Sequence, residues 1–110
     1  MSFIATENKG FRMKFENGFT ISVQWGTVNY CEKKNLMAEY KNEMKETTWE
    51  SKSAEIAVFD TEGEIVPLEE YDEVKGWLSP DKVAKYIAIV SSATNKNEIK
   101  TKIKELGEAK

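Results

Sequence analysis

The sequence contains no histidine and a single cysteine among its 110 residues. Without histidine the chain lacks the commonest general base, the Ser-His and Cys-His nucleophile pairs, and the main ligand of zinc and iron sites. A lone cysteine, Cys31, cannot form an internal disulfide and is typical of proteins in a reducing cytosol. We therefore expect neither a histidine-dependent enzyme nor a disulfide-stabilised scaffold.

Arginine, clustered glycine and long apolar runs are also scarce. Arg12 is the only arginine, and the formal net charge is −3. Forked recognition of phosphate and guanine favours arginine, so a nucleic-acid partner is not expected. The six glycines are scattered singly, which excludes a glycine-rich phosphate loop. There is no apolar run of about 18 residues and no signal-peptide pattern, so we expect a cytoplasmic protein without a membrane partner.

The strongest pattern present is an alternation of apolar residues between Phe11 and Trp25. Apolar side chains occupy the odd positions on both sides of the turn 16–18. A three-residue loop keeps them on one face of a hairpin, whereas a two-residue Asn-Gly turn would divide them between two faces. The same loop puts Gly18 where a residue without Cβ fits best. The predicted register pairs Phe15 with Phe19, Met13 with Ile21, and Phe11 with Val23.

A second hairpin is predicted around the turn 60–64, with Gly63 in the bulge. It continues a strand, or two, that runs from Trp49 to Asp60. Phe59 and Ile65 would lie on the face opposite the core, which indicates that both sides of this hairpin are covered. The predicted register pairs Asp60 with Glu64, Val58 with Val66, and Ile56 with Leu68.

Two helices are expected near the end of the chain. Ser79-Pro80-Asp81 combines a cap, a proline at the first helical position and an acid in the first turn, and it begins a helix over 80–92. Asn95 and Glu98 suggest a loose capping box for a second helix, which stops at Gly107. The predicted apolar positions are Val83, Tyr86, Ile87 and Val90 on the first helix, and Ile99, Ile103 and Leu106 on the second.

These elements predict a single α+β domain over 1–110. Its core is a small antiparallel β-sheet built from two bulged hairpins and packed against one or two C-terminal helices. Residues 1–10 are expected to be a loosely held lead-in, 11–68 mainly β, and 79–107 the two helices. For the segment 32–48 the sequence is compatible with two predictions, an amphipathic helix and a loop.

One group of residues is a candidate ligand site. Ser22 and Gln24 alternate with the apolar residues of the first hairpin, so they point away from its core face, as does Arg12. Amide side chains bind ribose or base edges, and aromatic rings stack on flat ligands. An ordinary exposed polar sheet face is the alternative. The complete candidate set is Arg12, Ser22, Gln24, Trp25, Asn29 and Tyr30.

A second group is a candidate protein interface. Residues 60–73 contain seven acids and no base, and such runs are usually solvated. The spacing Asp60-x-Glu62-x-Glu64 resembles a calcium loop superficially, but Ile65 stands where that loop needs glycine. No metal or other cofactor is therefore expected. The residues proposed for contact with a protein partner are Glu69, Glu70 and Asp72.

The string FENGFTISVQWG followed by NYC resembles a motif of small proteins from phage and prophage genomes. In that group an FxNGWTVSVQWG-like hairpin leads to GNYC, an ESxxAEIAxxD strand and an SPDxVAxxI helix. The chain departs at Phe19, where tryptophan is usual, and at Val28, where glycine is common. The matching residues are Phe15 to Gly18, Ser22 to Gly26, Asn29 to Cys31, Glu50-Ser51, Ala54 to Ala57, Asp60, Gly63, Val74 to Gly76 and Ser79 to Ala84.

The resemblance implies a viral origin and no particular reaction. We accordingly expect a non-enzymatic phage accessory protein that acts on a host factor in the host cytoplasm. One hypothesis is an anti-defence protein that sequesters a small nucleotide-type signal, and such a protein is expected to be a homo-oligomer. The alternatives are a protein–protein inhibitor of a host defence enzyme and a structural or regulatory phage protein. A carboxylate-dependent hydrolase is the enzyme alternative, although no spacing of acids favours it.

Overall fold

The structure, a computed structural model, describes residues 1–6, 10–26, 50–69 and 72–108. These residues form a six-stranded antiparallel sheet followed by two helices that pack against it. The fold class predicted from the sequence is thereby confirmed. The elements are β1 (Ser2–Ala5), β2 (Gly10–Lys14), β3 (Thr20–Gln24), β4 (Ala54–Phe59), β5 (Ile65–Val66), β6 (Lys75–Leu78), α1 (Pro80–Ser92) and α2 (Lys96–Glu108).

The sheet has the order β1-β2-β3-β4-β5, and β6 also pairs with β4. The expectation of a loose lead-in over 1–10 is wrong for β1, because Ser2–Ala5 pairs with β2 along its whole length. The alternation that identifies an amphipathic strand is absent there, since all four residues of β1 are exposed. The predicted segment 32–48 and the strand start at Trp49 lie outside the described residues.

The register predicted for the first hairpin is confirmed. Phe11 pairs with Val23 and Met13 with Ile21, and the Phe15 N–H donates to the Phe19 carbonyl at 2.9 Å. Gly18 has a φ of 91°, a conformation that strains any residue with a Cβ. The three-residue turn therefore keeps the apolar face intact.

The second hairpin agrees with its prediction near the turn and differs further along. Val58 pairs with Val66, and the Asp60 N–H donates to the Glu64 carbonyl at 2.7 Å. The predicted pairing of Ile56 with Leu68 is wrong, because Ile56 pairs with Lys75 of β6 instead. β5 ends at Val66, immediately before Pro67, and β6 pairs with the part of β4 that β5 leaves free.

The helix α1 occupies the predicted residues. Ser79 is its N-cap, with the Lys82 N–H donating to Ser79 Oγ at 3.3 Å. In α2 the Glu98 N–H donates to Asn95 Oδ1 at 2.9 Å, while the Glu98 carboxylate accepts the Thr94 N–H at 2.8 Å. The capping box is thus present with Asn95 as the cap. The return bond of the Glu98 carboxylate, however, goes to the N–H of Thr94 and not to the N–H of Asn95.

The core lies between the odd-numbered face of the first hairpin and the two helices. Fully buried side chains on both layers include Ile21 and Ile56 of the sheet, Tyr86 of α1 and Ile103 of α2. Burial of such side chains is worth about 1.5–3 kcal/mol each, so this layer contributes most of the stability. Within the described ranges, neither helix is both long and apolar enough to cross a bilayer.

Candidate functional site

Three of the proposed ligand residues meet on the sheet face opposite the helices. Arg12 pairs with Ser22 across β2 and β3. Gln24 Nε2 donates to Ser22 Oγ at 3.1 Å, and Gln24 Oε1 accepts a hydrogen bond from Thr6 Oγ1 at 3.0 Å. The polar groups of this face are therefore engaged with one another.

The expected exposure of this face holds for Arg12 and fails for Ser22. Ser22 is only 4% exposed, because it is a small residue between β2 and β4 with the longer Gln24 side chain bonded to it. The Arg12 guanidinium lies 5.0 Å from the centroid of the Phe59 ring, a distance at which the ring attracts the cation. Phe59 on this face confirms the predicted side for that residue.

Trp25 does not belong with those three residues. Because side chains alternate along β3, Trp25 shares the face of Val23 and lies on the opposite side of the sheet from Gln24. There its ring meets the Phe11 ring edge to face, with centroids 6.2 Å apart. The remaining two proposed residues, Asn29 and Tyr30, lie outside the described residues.

Trp25 and Phe11 instead form one wall of an apolar cleft of about 290 Å³. The opposite wall is the N-terminal half of α1, from Pro80 to Ile87, and the floor is the sheet. A volume near 300 Å³ is at the small end of the range for ligand pockets, and it suits a flat ring system. The lining residues are Phe11, Val23, Trp25, Ser51, Lys52, Ser53, Ala54, Pro80, Val83, Ala84 and Ile87.

The rim of the cleft carries a cation. Lys52 is exposed, and it is the one charged residue among the described residues that line the cleft. It sits at the tip of a tight turn in which the Ser51 hydroxyl donates to the Ser53 carbonyl at 2.7 Å and accepts the Ser53 N–H at 3.3 Å. An apolar slot with one ammonium group at its mouth can hold a ring with an attached anion.

Comparison with known proteins adds nothing to this geometry. No protein-family model, curated protein or solved structure matches the chain. The functional interpretation therefore depends on the cleft and on the sequence motif.

Part of that motif has a structural explanation. Asn17 Nδ2 donates to the carbonyls of Val90 and Ala93 at 2.8 and 2.9 Å, where α1 ends. Asn17 Oδ1 accepts the Phe19 N–H at 3.0 Å. One amide thus closes its own turn and donates to two carbonyls at the C-terminal end of α1, of which the Val90 carbonyl also accepts the N–H of the C-cap Ala93 at 3.4 Å. The Asn-Gly pair of the motif serves packing and needs no ligand to explain it.

The proposed acidic interface is exposed at the two positions that the structure describes. Glu69 and Asp72 face each other in an isolated antiparallel bridge, and the Glu69 carboxylate pairs with Lys75 Nζ at 2.9 Å. Glu70 lies outside the described residues. The structure therefore places this acidic surface beside β6, with part of its charge neutralised.

The carboxyl groups of Asp60 and Glu98 have lowered pKa values for structural reasons. The backbone N–H of Glu64 contributes most to the low pKa of Asp60. The Thr94 backbone N–H, the Thr94 hydroxyl and Lys102 lower the pKa of Glu98 to about 2. A general acid needs a raised pKa, so neither group suits that role. The described residues also contain no group of three side chains that could hold a metal ion.

The sequence contained the signal that separates Trp25 from the polar residues. Odd positions of β3 face the helices and even positions face away, so Trp25 and Gln24 cannot line one surface. Lys52 could not have been found in this way, because its contact with the cleft depends on how the segment before β4 passes the start of α1.

Proposed function

We propose that this chain is a non-enzymatic phage accessory protein that binds a small nucleotide-type signal of the host and sequesters it. The observation that supports this is the cleft of about 290 Å³, which combines the Phe11 and Trp25 rings with the exposed Lys52. The rings would contact a base, and the ammonium group would contact a phosphate. The phage motif suggests the host cytoplasm as the place of action and an anti-defence role.

The ligand site differs in this proposal from the one expected from the sequence. Trp25 is kept, while Arg12, Ser22 and Gln24 are left out because they bond with one another or with Phe59 on the other face. Binding without turnover agrees with the chemistry of the cleft, whose described lining has no carboxylate, thiol or histidine.

A thermal-shift panel of mononucleotides and cyclic oligonucleotides tests the proposal. A true ligand at a hundred times its Kd should stabilise the protein by about 2.7 kcal/mol. Trp25→Ala should abolish the shift, and Trp77→Ala should leave it unchanged, because Trp77 is an exposed tryptophan outside the cleft. The proposal fails if no member of the panel raises the Tm of the wild-type protein.

Lys52 provides a second test that separates its charge from the rings. Lys52→Gln should weaken a phosphorylated ligand about tenfold and leave the matching nucleoside unaffected, because only the phosphate contacts the ammonium group. Lys14→Gln is the matched control, since Lys14 is an exposed lysine on the other face of the sheet. Equal losses for nucleotide and nucleoside would argue against a phosphate contact.

A second candidate is inhibition of a host protein through the surface beside β6. Trp77 is 61% exposed and has a φ of 59°, a strained conformation for a bulky residue. Exposed tryptophan is the residue type most enriched in interface hot spots, and Glu69 and Asp72 lie on the loop that leads to this strand.

A pull-down from host extract tests the second candidate. Trp77→Ala, or charge reversal of Glu69 and Asp72, should abolish capture of the target, whereas Trp25→Ala should not. The two tryptophan variants therefore distinguish the candidates, because each removes one activity and preserves the other. Normal capture by both surface variants would exclude this surface as the interface.

A further inference from the structure

The outer edge of β1 has backbone groups that point away from the sheet. The Thr6 N–H donates to the Gly10 carbonyl at 3.1 Å, so Thr6 and Gly10 form a hydrogen-bonded pair. Such pairs alternate along an antiparallel ladder, and Ile4 with Arg12 is the next one. The N–H and C=O groups of Phe3 and Ala5 consequently point outward, and no described strand pairs with that edge.

The side chains of β1 lack the features that usually protect an edge strand. Its sequence, SFIA, contains no charge and no proline, and its pairing with β2 shows no bulge. Phe3 is 82% exposed and Ile4 46%. Natural edge strands are normally blunted by lysine, proline or bulges, and an unprotected one is a template for another strand.

We propose that β1 pairs antiparallel with β1 of a second copy of this chain, about a twofold axis at Ile4. The axis stands perpendicular to the sheet, so the helix-bearing faces of both copies lie on the same side. Phe3 then stands opposite Ala5 of the partner subunit, and Ala5 opposite Phe3 of the partner subunit. All the outward N–H and C=O groups of Phe3 and Ala5 are paired in this register.

Self-complementarity favours a second copy over an unrelated strand. The register sets a large side chain against a small one at two symmetric positions, and it brings no like charges together. Phe3 lies on the same face as Met13, with which it pairs, so the partner's ring extends the apolar face of the helix-bearing side. A partner strand with charged residues at these positions would match them less well.

Sedimentation velocity over a wide concentration range tests the proposal. The wild-type protein should shift from the 12.6 kDa chain mass toward twice that mass between about 1 μM and about 1 mM. Phe3→Lys should raise the dimer Kd at least tenfold, which corresponds to about 1.4 kcal/mol. Trp77→Lys is the control, because Trp77 is also an exposed aromatic residue but lies on the distant strand β6. A monomer at every concentration would overturn the proposal.

Ala5→Pro tests pairing at the outer edge of β1 without disturbing the fold of the chain. The Ala5 N–H points away from β2, so Ala5→Pro should leave the β1–β2 pairing and the Tm nearly unchanged while raising the dimer Kd at least tenfold. Ala5→Ser keeps the N–H and should dimerise normally. If Ala5→Pro dimerises as well as the wild type, the edge is not the interface.

Disulfide trapping tests the register in a Cys31→Ser background. Ile4→Cys should cross-link under mild oxidation, because the two Ile4 residues form a close, non-hydrogen-bonded pair. Ser2→Cys should not cross-link, since its partner in this register is Thr6. Trapping through Phe3→Cys but not through Ile4→Cys would show that the register is wrong.

Discussion

The two hairpin turns of the sheet have the same backbone shape and hold different parts of the molecule. Each is a three-residue loop with a glycine in the left-handed region, at φ 91° for Gly18 and 85° for Gly63. In the first turn Asn17 bonds to the end of α1. In the second, the Asp60 carboxylate accepts the N–H groups of Glu62 and Glu64 and so bonds mainly to its own loop.

The difference shows that a turn motif specifies local geometry but does not reveal what the turn contacts. Gly18 lies against the second turn, because a Cβ there would come within 2.7 Å of Thr61 Cγ2, whereas a Cβ at Gly63 would meet nothing within 4 Å. The first turn is therefore packed at its glycine, whereas the second turn is open at its glycine. The second turn contacts the rest of the molecule through Thr61, which lies beside Gly18, and through Asp60, whose carboxylate lies 3.5 Å from Lys96 Nζ. Substitutions in the two turns should have different effects.

The largest difference is expected at Asn17. Asn17→Ala should lower the free energy of unfolding by about 2 kcal/mol, because it removes the amide donor shared by the Val90 and Ala93 carbonyls and the acceptor of the Phe19 N–H. Asn17→Asp keeps the acceptor for the Phe19 N–H but turns a carboxylate toward the negative end of α1. It should therefore destabilise the protein at least as much as Asn17→Ala. Urea unfolding measures both, and a mild effect of Asn17→Asp would show that the turn matters more than the helix contact.

A smaller difference is expected between the glycines. Alanine at either position should destabilise by about 1 kcal/mol from the positive φ alone, and Gly18→Ala should lose more because Thr61 must move. The Thr61→Ser variant removes the obstructing methyl group. In that background Gly18→Ala should cost less than it does in the wild-type protein, as a double-mutant cycle can measure. Equal losses in the wild-type background would contradict the packing contact.

The smallest effect is expected on the decline of Tm at low pH. The pKa values of Asp60 and Glu98 in the folded protein are below the ordinary values of these groups. Both carboxylates therefore stabilise the fold fully when the pH is above the ordinary pKa, and this contribution is lost as the pH falls through the folded-state pKa. For Glu98 the loss spans the interval from 4.5 down to about 2. Glu98→Gln should flatten the decline of Tm with acid, and Glu105→Gln, an exposed glutamate on the same helix, should not. An unchanged decline in Glu98→Gln would indicate that this carboxylate is not bound as described.

Local rules predicted the elements whose causes are local. The register of β2 with β3 follows from alternation and a glycine, and α1 follows from Ser79, Pro80 and an apolar stripe. β1 and β6 escaped prediction because their pairing depends on a neighbour and not on their own pattern. β1 is exposed throughout, and β6 pairs with a part of β4 that β5 leaves free.

The candidate site was predictable only in part, for the same reason. Parity along β3 already assigns Trp25 to the helix-bearing face and Ser22 to the other. What parity could not supply is the second wall of the cleft, since Val83 and Ile87 belong to a helix about sixty residues further along the chain. Nor could it show that Gln24 bonds to Thr6, a contact between strands that are not neighbours in the sheet.

The amide of Asn17 bonds to the carbonyl of Val90, which stands 73 positions further along the chain. A growing polypeptide can close the first hairpin early, but that amide has no helix to hold until α1 has been synthesised. Because this contact closes a long stretch of sequence, its loop-closure entropy should slow the docking of α1. Amide protons of the first hairpin and of α1 should then exchange with solvent at matching rates, as one cooperative unit.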